Sequence, residues 1–492
     1  MTASLATPAE VRRWIGAKEW GMIVNGHCVS ARSEKSYQTD DPATGLLSAR
    51  VPDGDSDDVA SAVQAGLDAY PGWAALGFES RAAVIRGMVD LLETHRNELA
   101  ALDSVDSGNP LAASQLDIDL SIRSLHMQAA EALALRGTSL VRGEGMHYTA
   151  HEPYGVVGRI VAYNHPLLYA VARVAPALLA GNAIVLKPAP QTPLSALRWA
   201  ELAQSLLPSG VFNVVTGATS DVGEALVAHP DVKRLSFIGS AQVGRSIQEG
   251  AARSGVKNVS LELGGKNAIL VFPDSDLDEA ANAAYRGMNF DSTGGQSCGS
   301  TSRVLVHSSM KEPFTWRLAD LMAGLQLGDP LEPDTMMGPM ISAAHQARVQ
   351  SWVQRGLADG ARLEFENAGA TPAHGYFVPP VILGAVRGDM SVAQEEIFGP
   401  VVTVMEFEDE DEAVALANNT RYGLTASVWT KDLRRAHRVA GRLQAGYVWV
   451  NDVARHYPGL PFGGMKDSGV GREESAEELL SYTETKSVHV SF

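Results

Sequence analysis

Residues 234–273 read RLSFIGSAQVGRSIQEGAARSGVKNVSLELGGKNAILVFP. The stretch opens with the strand-like run RLSFIGS, continues with the helix-like run AQVGRSIQEGAARS, and reaches a second apolar run at NAILVFP. A strand, a helix and a strand in succession are typical of a parallel sheet with helices packed on its faces. This stretch therefore predicts an α/β fold.

The same alternation continues on both sides of this stretch. Strand-like runs precede it at GVVGRIVAYN, NAIVLKPA and VFNVVTG, and SRVLVHSS follows it, with helix-like stretches such as PLSALRWAELAQSLL and DLDEAANAAYRGMN between them. Asp276 or Ser275 can cap the helix that begins at PDSDLDEA. Residues 58–105 predict long amphipathic helices, and residues 404–444 alternate strand and helix again. The terminal SYTETKSVHVSF predicts a strand that needs a pairing partner, for which a second subunit is one candidate.

Length and composition are typical of a globular protein with more than one domain. The 492 residues correspond to about two to four domains. Hydrophobic residues make up 45% and charged residues 20% of the chain, which is ordinary for a soluble protein. The net charge of −17 would repel a phosphate backbone, so the composition argues against a nucleic-acid partner.

Cysteine usage and hydropathy favour a cytoplasmic protein. Cys28 and Cys298 cannot build a disulfide framework, which fits a reducing compartment. The opening MTASLATPAEVRRW lacks the apolar core of a signal peptide. The most apolar stretch, residues 170–186, is interrupted by Arg173 and Pro176 and does not predict a membrane span. His, Cys and acidic residues do not cluster as a metal site would need, so we expect no metal.

Three residues have the chemistry of a catalytic site. Cys298 lies among small polar residues, which would leave its thiol open to a substrate, and a helix start could stabilise its thiolate. Glu262 lies between two leucines, where an apolar setting raises a carboxyl pKa toward that of a general base. A solvated or salt-bridged glutamate at a strand end is the alternative. The amide of Asn164 could donate to an oxyanion, or Asn164 could be a turn residue.

A second group of residues has the chemistry of a phosphate or ribose site. Gly239 and Ser240 follow an apolar strand and Gly244 opens the next helix, so a pyrophosphate could approach a helix N-terminus there. The spacing differs from G-x-G-x-x-G, and a tight strand-to-helix turn is equally compatible with it. Lys187 ends a buried strand, where it could reach a ribose or a phosphate or simply be solvated.

In sequence order these motifs resemble the aldehyde dehydrogenase superfamily over nearly the whole chain. The motifs that carry the resemblance are AYNHP, VLKPAPQTPLSAL, LPSGVFNVVTG, FIGSAQVG, LELGGKN, GGQSCGS, GDPLEPDTMMGPMIS, QEEIFGPV, YGLTASVWT, GYVWVN and PGLPFGGMKDSGVGRE. The resemblance implies an enzyme that oxidises an aldehyde to a carboxylic acid with NAD(P)+ through a cysteine thiohemiacetal and a thioester. It implies Cys298 as the nucleophile, Glu262 as the base for water, and Asn164 with the backbone N–H of Cys298 as the oxyanion donors.

The resemblance also implies a cofactor site. Its residues are Lys187 at the adenosine ribose, Gly239 and Ser240 at the pyrophosphate, Glu396 at the nicotinamide ribose, and Phe398, Gly223 and Tyr163 nearby. Arg173 and Glu473 match a pair associated with a buried proton path, and an ordinary ion pair is the alternative. The sequence departs from the family pattern at Tyr163, where tryptophan is usual, and at Ile238. Pro190 stands where many NAD-preferring members have a glutamate, so either NAD or NADP is expected, with NAD favoured.

Substrate choice is expected at the mouth of the substrate tunnel. The resemblance places Tyr169, Ser297, Arg455 and His456 there. A guanidinium at Arg455 would suit a substrate carboxylate, which favours an acidic or aromatic aldehyde unless that side chain points to solvent or pairs with a nearby acid. Betaine aldehyde is the alternative substrate, since the C-terminal motifs also resemble that branch of the family. Tyr169, Tyr457 and Phe462 could contribute to an aromatic cage for its cation, whereas Arg455 and His456 argue against one.

Two further alternatives concern the reaction itself. A CoA-acylating enzyme would pass the thioester to CoA, and it would not need the base at Glu262. A binding or structural protein on the same fold would have lost activity, whereas Cys298, Asn164 and Glu396 are all retained here.

The implied fold is a Rossmann-like cofactor domain plus an α/β catalytic domain with a β-strand oligomerisation arm. The expected boundaries are residues 1–133 and 152–264 for the dinucleotide-binding domain, 265–467 for the catalytic domain, and 134–151 and 480–492 for the arm. The expected partners are a small-molecule aldehyde and further copies of the chain in a homodimer or homotetramer, with neither nucleic acid nor a membrane.

Overall fold

The computed structural model describes residues 7–143 and 145–492. Residues 1–6 of the predicted dinucleotide-binding domain and Glu144 of the predicted arm lie outside the described residues. The helices are α1 Pro8–Ala17, α2 Ser56–Ala75, α3 Gly77–Thr94, α4 Arg96–Ser107, α5 Leu111–Ala134, α6 Pro166–Val171, α7 Ala175–Leu179, α8 Leu194–Ala203, α9 Asp221–Ala228, α10 Ala241–Ser254, α11 Leu277–Gly287, α12 Phe290–Thr293, α13 Lys311–Ala323, α14 Ala343–Ala358, α15 Ser391–Gln394, α16 Glu410–Asn418, α17 Leu433–Ala440 and α18 Ala476–Leu480.

The six apolar runs quoted above all form strands, and the structure adds others that the sequence did not predict. They are β1 Met22–Val24, β2 His27–Val29, β3 Ser36–Asp41, β4 Leu46–Pro52, β5 Ser139–Arg142, β6 Gly145–Pro153, β7 Val156–Ile160, β8 Ala183–Lys187, β9 Phe212–Val214, β10 Val232–Ile238, β11 Asn258–Glu262, β12 Ala268–Val271, β13 Arg303–His307, β14 Arg362–Glu366, β15 Val381–Gly384, β16 Val401–Phe407, β17 Tyr422–Gly423, β18 Thr425–Trp429, β19 Tyr447–Val450, β20 Met465–Lys466, β21 Gly469–Val470 and β22 Thr483–Ser491.

In the described part of the chain, the first large sheet has eight strands in the order β2-β1-β9-β8-β7-β10-β11-β21. The central strands β9, β8, β7, β10 and β11 are parallel, while the β1–β2 hairpin and β21 flank them in antiparallel pairing. After β7 the chain adds β8 and β9 on one side, and it then returns to the other side of β7 to add β10 and β11, so the order of strand addition reverses between β7 and β10. In doubly wound sheets, ligands bind outside the carboxyl ends of the strands at such a point.

Burial on both faces explains the continuous apolar runs of these strands. Every residue of β8 is buried, with Ile184 and Leu186 in one hydrophobic cluster and Ala183 and Val185 in the other. A strand covered by helices on both faces has no polar side, so it shows no alternation. The predicted parallel α/β architecture is thereby confirmed. The predicted cap of α11 is confirmed at Asp276, whose side chain accepts from the backbone N–H of Glu279.

The second large sheet has the order β14-β15-β16-β13-β12-β18-β19, and all its pairs except β14–β15 are parallel. β12 follows β11 after only a short connection, residues 263–267. The carboxyl end of β11 in the first sheet is therefore joined directly to the amino end of β12 in the second. This junction brings the motifs of both sheets together.

The C-terminal strand pairs within its own chain. β22 runs antiparallel to β6 from Thr483↔Pro153 to Ser491↔Gly145, and β5 pairs with the other edge of β6. Within the chain, the pairing partner that the sequence left open is thus β6, on one edge of β22. Pairing of its other edge with a second subunit stays a prediction. None of the described helices is long and apolar enough to cross a membrane.

Candidate active site

A cavity of about 1240 Å³ lies where the carboxyl ends of the first sheet meet the amino ends of the second. Most of the predicted site residues line it: Tyr163, Asn164, Tyr169, Lys187, Gly223, Gly239, Ser240, Glu262, Cys298, Glu396 and Phe398. Ser297, Arg455 and His456 are not among its lining residues. The cavity therefore unites the predicted catalytic and cofactor residues but only one of the predicted substrate residues.

Cys298 lies in a turn that neighbouring residues hold in place. The amide Nδ2 of Asn267 donates to the carbonyl oxygens of Cys298 at 2.7 Å and of Ser300 at 3.0 Å. A Cβ at Gly265 would come within 2.8 Å of the Cys298 carbonyl oxygen, so this close approach requires glycine. The predicted helix start at Cys298 is wrong, because the residue follows the short helix α12 and a Gly-Gly turn instead.

Burial, together with the charges of Glu396 and Glu262, raises the pKa of the Cys298 thiol to about 12, so the protonated form is favoured at neutral pH. The aromatic cluster of Tyr447, Trp449 and Phe462 packs against the half-buried cysteine. Activation of the sulfur therefore needs a positive charge or a proton acceptor that comes close to it.

Glu262 ends β11 with a carboxyl group that is free of partners. Only 7% of the residue is exposed, and neither carboxyl oxygen has a hydrogen-bond partner among the described residues. Burial, together with the nearby charge of Glu473, raises its pKa well above the ordinary value. The alternative of a solvated or salt-bridged glutamate is wrong, because the side chain is buried and unpaired. A carboxyl group in this setting can take up a proton from a water molecule in the cavity.

Asn164 is buried and fixed at two points. The side chain of Asn109 donates to its backbone carbonyl at 2.8 Å, and the Tyr169 hydroxyl donates to its Oδ1 at 3.3 Å. The residue lies in a bend before α6, as a turn residue would, but its side chain also lines the cavity. Its Nδ2 is thus available as a donor on the cavity side.

Lys187, Gly239 and Ser240 line the part of the cavity where the sequence predicts an adenosine ribose and a pyrophosphate. Lys187 ends β8 with 6% of the residue exposed, and burial lowers its pKa to about 8. Ser240 caps the 14-residue helix α10 by accepting from the backbone N–H of Val243 at 3.3 Å. A Cβ at Gly239 would collide with the ring of Phe237. A bare backbone followed by a helix N-terminus favours an approaching pyrophosphate.

Gly244 has a different role from the one predicted. α10 begins at Ala241, so Gly244 lies within the first turn and does not open the helix. A Cβ there would come within 2.8 Å of the Leu263 side chain. The glycine therefore allows α10 to pack closely against the end of β11.

Glu396 and Phe398 line the part of the cavity where the sequence predicts a nicotinamide ribose. The backbone N–H of Gly265 donates to Glu396 at 2.9 Å, and burial raises the pKa of this carboxyl to about 7. Phe398 has a left-handed backbone at φ +59°, which is strained for a bulky residue. The imidazole Nε2 of His345 donates to the Phe398 carbonyl at 2.6 Å and thereby holds this conformation.

The other predicted substrate residues lie outside the cavity. The Arg455 guanidinium is exposed, stacks over the Tyr457 ring at 4.9 Å, and forms no ion pair with any described acid. The imidazole of His456 contacts Glu474 at 2.9 Å, and its ring lies 4.4 Å from that of Phe462. Ser297 accepts from the backbone N–H of Gly299 at 3.3 Å, which stabilises the nucleophile turn.

Arg173 and Glu473 form the ion pair that the sequence suggested. Nε of Arg173 lies 3.0 Å from one oxygen of Glu473, and Arg159 binds the other oxygen at 2.6 Å. Arg173 also contacts Glu474. Two arginines thus neutralise a buried glutamate whose charge is close enough to Glu262 to raise the pKa of that carboxyl group.

Comparison with known proteins identifies the family. A sequence model of the aldehyde dehydrogenase family matches residues 28–488. The chain belongs to the aldehyde dehydrogenase family. The aldehyde dehydrogenase tropH of Talaromyces stipitatus is 41% identical over 481 residues, which cover 96% of this chain and 93% of the relative.

Solved structures of aldehyde dehydrogenases share the fold. The NAD+ complex of an aldehyde dehydrogenase from Bacillus cereus is 38% identical, with a TM-score of 0.95 and 100% of both chains covered. A betaine aldehyde dehydrogenase from Staphylococcus aureus in complex with NAD+ is 33% identical, with a TM-score of 0.95, and the match covers 99% of this chain and 98% of that one. The chain is therefore an NAD(P)-dependent aldehyde dehydrogenase.

The sequence did not predict three residues whose hydrogen bonds hold other residues of the site in place. Asn267 holds the nucleophile turn, Asn109 holds the backbone of Asn164, and His345 holds Phe398. Only Asn267 had a visible signal, since it directly follows the Gly-Gly-Lys of LELGGKN. No group of three or more potential metal ligands occurs among the residues that the structure describes.

Proposed function

We propose that this aldehyde dehydrogenase oxidises its substrate by covalent catalysis at Cys298 and releases a free carboxylic acid. One observation carries the proposal: Cys298, Glu262 and Asn164 line the same cavity as Lys187 and the N-terminus of α10. Nucleophile, base and oxyanion donor are therefore adjacent to a cofactor site.

The cofactor would be held along the length of the cavity. Lys187 would bind the adenosine ribose, the backbone at Gly239 and Ser240 the pyrophosphate, and Glu396 the nicotinamide ribose. When bound, the oxidised nicotinamide supplies an acceptor for the two electrons that leave the aldehyde carbon. Phe398, held by His345, lines this end of the cavity.

Cys298 and Asn164 would carry the first half of the reaction. The thiol proton passes to water in the cavity, the sulfur attacks the carbonyl carbon, an S–C bond forms, and the carbonyl oxygen takes up negative charge. Nδ2 of Asn164 and the backbone N–H of Cys298 would donate to this oxygen as the charge develops. Oxidation of the carbon then leaves a thioester on the sulfur.

Glu262 would carry the second half. Its carboxylate takes a proton from water, the water oxygen attacks the thioester carbon, and the S–C bond breaks to release the acid and the thiolate. A free carboxyl group at this position favours hydrolysis over transfer to CoA. The retained machinery likewise argues against an inactive binding or structural protein on this fold.

For the substrate we propose an acidic or aromatic aldehyde. The cluster of Tyr447, Trp449 and Phe462 against Cys298 provides an apolar aromatic wall for a ring. Arg455 lies on the exposed loop next to this cluster and has a guanidinium without an acidic partner among the described residues. Betaine aldehyde is the second candidate, because the same aromatic wall could face a trimethylammonium group.

Turnover of an aldehyde panel should separate these substrates. Carboxylated, neutral aromatic and trimethylammonium aldehydes would each be tested with NAD+ and NADP+ by the absorbance of the reduced cofactor. Arg455→Ala should lower kcat/KM for the carboxylated aldehyde about 10-fold, since a charge-assisted hydrogen bond is lost. The neutral aldehyde should be unaffected, and Arg434→Ala, an exposed arginine on α17, is the matched control. Preference for the cationic aldehyde would instead support betaine aldehyde.

The choice between NAD+ and NADP+ should depend on Pro190. Pro190 lines the cavity near Lys187 and can neither bind ribose hydroxyls nor repel a phosphate. We propose that NAD+ is preferred but NADP+ is accepted. Pro190→Glu should lower kcat/KM for NADP+ at least about 10-fold, because the carboxylate repels the 2′-phosphate, and should leave NAD+ turnover nearly unchanged. An unchanged NADP+/NAD+ ratio would show that position 190 does not face the ribose.

Oligomeric state and compartment stay predictions. The three-stranded sheet of β5, β6 and β22 leaves Val141 and Phe492 largely exposed, which supports its role as an arm in a homodimer or homotetramer. Both cysteines are free, in keeping with a cytoplasmic location.

A further inference from the structure

We propose that Tyr169 is a positioning residue that orients the side-chain amide of Asn164 for oxyanion binding. This inference rests on the proposed function, in which Asn164 donates to the oxyanion. It assigns the Tyr169 hydroxyl to the acylation step, whereas the sequence had suggested Tyr169 only as a substrate contact.

The hydrogen bond to Asn164 is the one partner of the Tyr169 hydroxyl among the described residues. Tyr169 lies on α6, just beyond Asn164 in the chain, with 6% of the residue exposed, and both residues line the cavity. The hydroxyl donates to Oδ1 of Asn164 at 3.3 Å. Burial raises the pKa of this phenol well above its ordinary value, so it stays protonated and remains a donor at any pH at which the enzyme works.

An asparagine amide has two orientations that differ by a half turn about its terminal bond. With Oδ1 occupied by a donor, Nδ2 is fixed on the opposite side, where it has no hydrogen-bond partner among the described residues and opens to the cavity. If the amide turned over, Oδ1 would face the developing negative charge and repel it. A donor at Oδ1 therefore selects the orientation that an oxyanion requires.

The backbone around Asn164 is fixed independently of Tyr169. Asn109 donates to the Asn164 carbonyl at 2.8 Å, and the carboxylate of Asp103 accepts from the backbone N–H of Leu167 at 3.2 Å. Both contacts come from the end of α4 and the loop that follows it, and they do not involve the tyrosine. Tyr169→Phe should therefore remove a single hydrogen bond and keep the ring, the helix and the position of Asn164.

A double-mutant cycle tests the coupling between the two residues. Tyr169→Phe should slow the pre-steady-state burst of reduced cofactor about 10-fold, part of the roughly 100- to 1000-fold that loss of an oxyanion donor costs. The KM for the aldehyde should change less than about 2-fold, because the ring still packs against the substrate. In an Asn164→Ala background, Tyr169→Phe should have no further effect. Tyr37→Phe, which removes a buried hydroxyl without a hydrogen bond, is the control and should keep full activity.

The outcomes that contradict the proposal are distinct from one another. Equal losses from Tyr169→Phe in both backgrounds, or a rise in KM with an unchanged burst rate, would assign the tyrosine to substrate packing and overturn its positioning role. A full burst rate in Asn164→Ala alone would overturn the assignment of Asn164 and, with it, the proposed oxyanion site. If Asn164→Ala fails to fold, Asn164→Asp takes its place in the cycle, because it keeps the side-chain shape without the amide donor. It should then show the loss of burst rate expected for Asn164→Ala.

Discussion

Replacement of Cys298 by alanine should reduce aldehyde oxidation at least about 10,000-fold, because Cys298 supplies the only thiol among the described residues that line the cavity. Binding of the reduced cofactor, followed by its fluorescence, should persist, since Lys187, Ser240 and Glu396, which would hold it, are unchanged. Steady-state turnover with the best aldehyde of the panel provides the measurement. Loss of turnover together with retained binding separates the nucleophile from the cofactor site.

The second cysteine provides a matched control. Cys28 is exposed on β2, at the edge of the first sheet, and is not among the residues that line the cavity. Cys28→Ala should therefore leave turnover unchanged. If Cys298→Ala retained turnover within about 10-fold, a covalent mechanism at this sulfur would be wrong, because loss of a nucleophile costs far more than that.

The parallel sheets could be predicted from sequence because their strands are buried on both faces. β8 and β12 are buried at every position, so each shows as an uninterrupted apolar run between helix-like stretches. The pairing of β22 could not be predicted in the same way. Alternation in SYTETKSVHVSF indicates a strand, but nothing in it specifies that the partner is β6, more than 300 residues earlier in the chain.

The catalytic residues could be predicted from the sequence more readily than the contacts that hold them in place. Cys298, Glu262 and Asn164 lie in recognisable motifs, and all three reach the cavity. Asn109 acts on Asn164 across 55 residues, and no local pattern marks such a contact. The burial of the Glu262 carboxyl group without a hydrogen-bond partner among the described residues is likewise a property of the packed structure, which is why the sequence left a solvated side chain open as the alternative.

The mouth of the substrate tunnel was the least predictable part. His456 and Arg455 are neighbours in sequence, yet His456 contacts Glu474 and Phe462 while Arg455 is exposed over Tyr457. A loop held by side-chain contacts rather than by a helix or strand has no periodicity from which to infer where each residue points. Variants of this loop, assayed with the aldehyde panel, are therefore needed more than further variants of the nucleophile.

Glu262→Gln should leave aldehyde oxidation intact and stop release of the acid. The amide keeps the shape of the side chain but cannot accept the proton from water, so the thioester should accumulate on Cys298. Rapid mixing should give a burst of one equivalent of reduced cofactor per active site, followed by turnover about 1000-fold slower than in the wild type. Mass spectrometry of the quenched protein should find the acyl group on the peptide that contains Cys298.

The pH dependence of the wild-type enzyme follows from the same carboxyl group. Burial raises the pKa of Glu262 well above its ordinary value, so the protonated form, which cannot act as a base, dominates below that pKa. Thioester hydrolysis should therefore rise about tenfold per pH unit until the pKa is reached and should be level above it. In Glu262→Gln the residual hydrolysis should lose this dependence, whereas Glu312→Gln, an exposed control on α13, should keep it.

Two results would contradict the assignment of Glu262 in different ways. Unimpaired steady-state turnover of Glu262→Gln in buffer alone would show that another group activates the water. The buried carboxylate of Glu473 would be the next to test, because its charge raises the Glu262 pKa more than any other charge does. A wild-type enzyme that turned over only when CoA was added would show that the thioester passes to a thiol and not to water. The expected outcome differs from both of these results. A burst in Glu262→Gln without CoA, together with fast turnover of the wild type without CoA, would establish Glu262 as the base for hydrolysis.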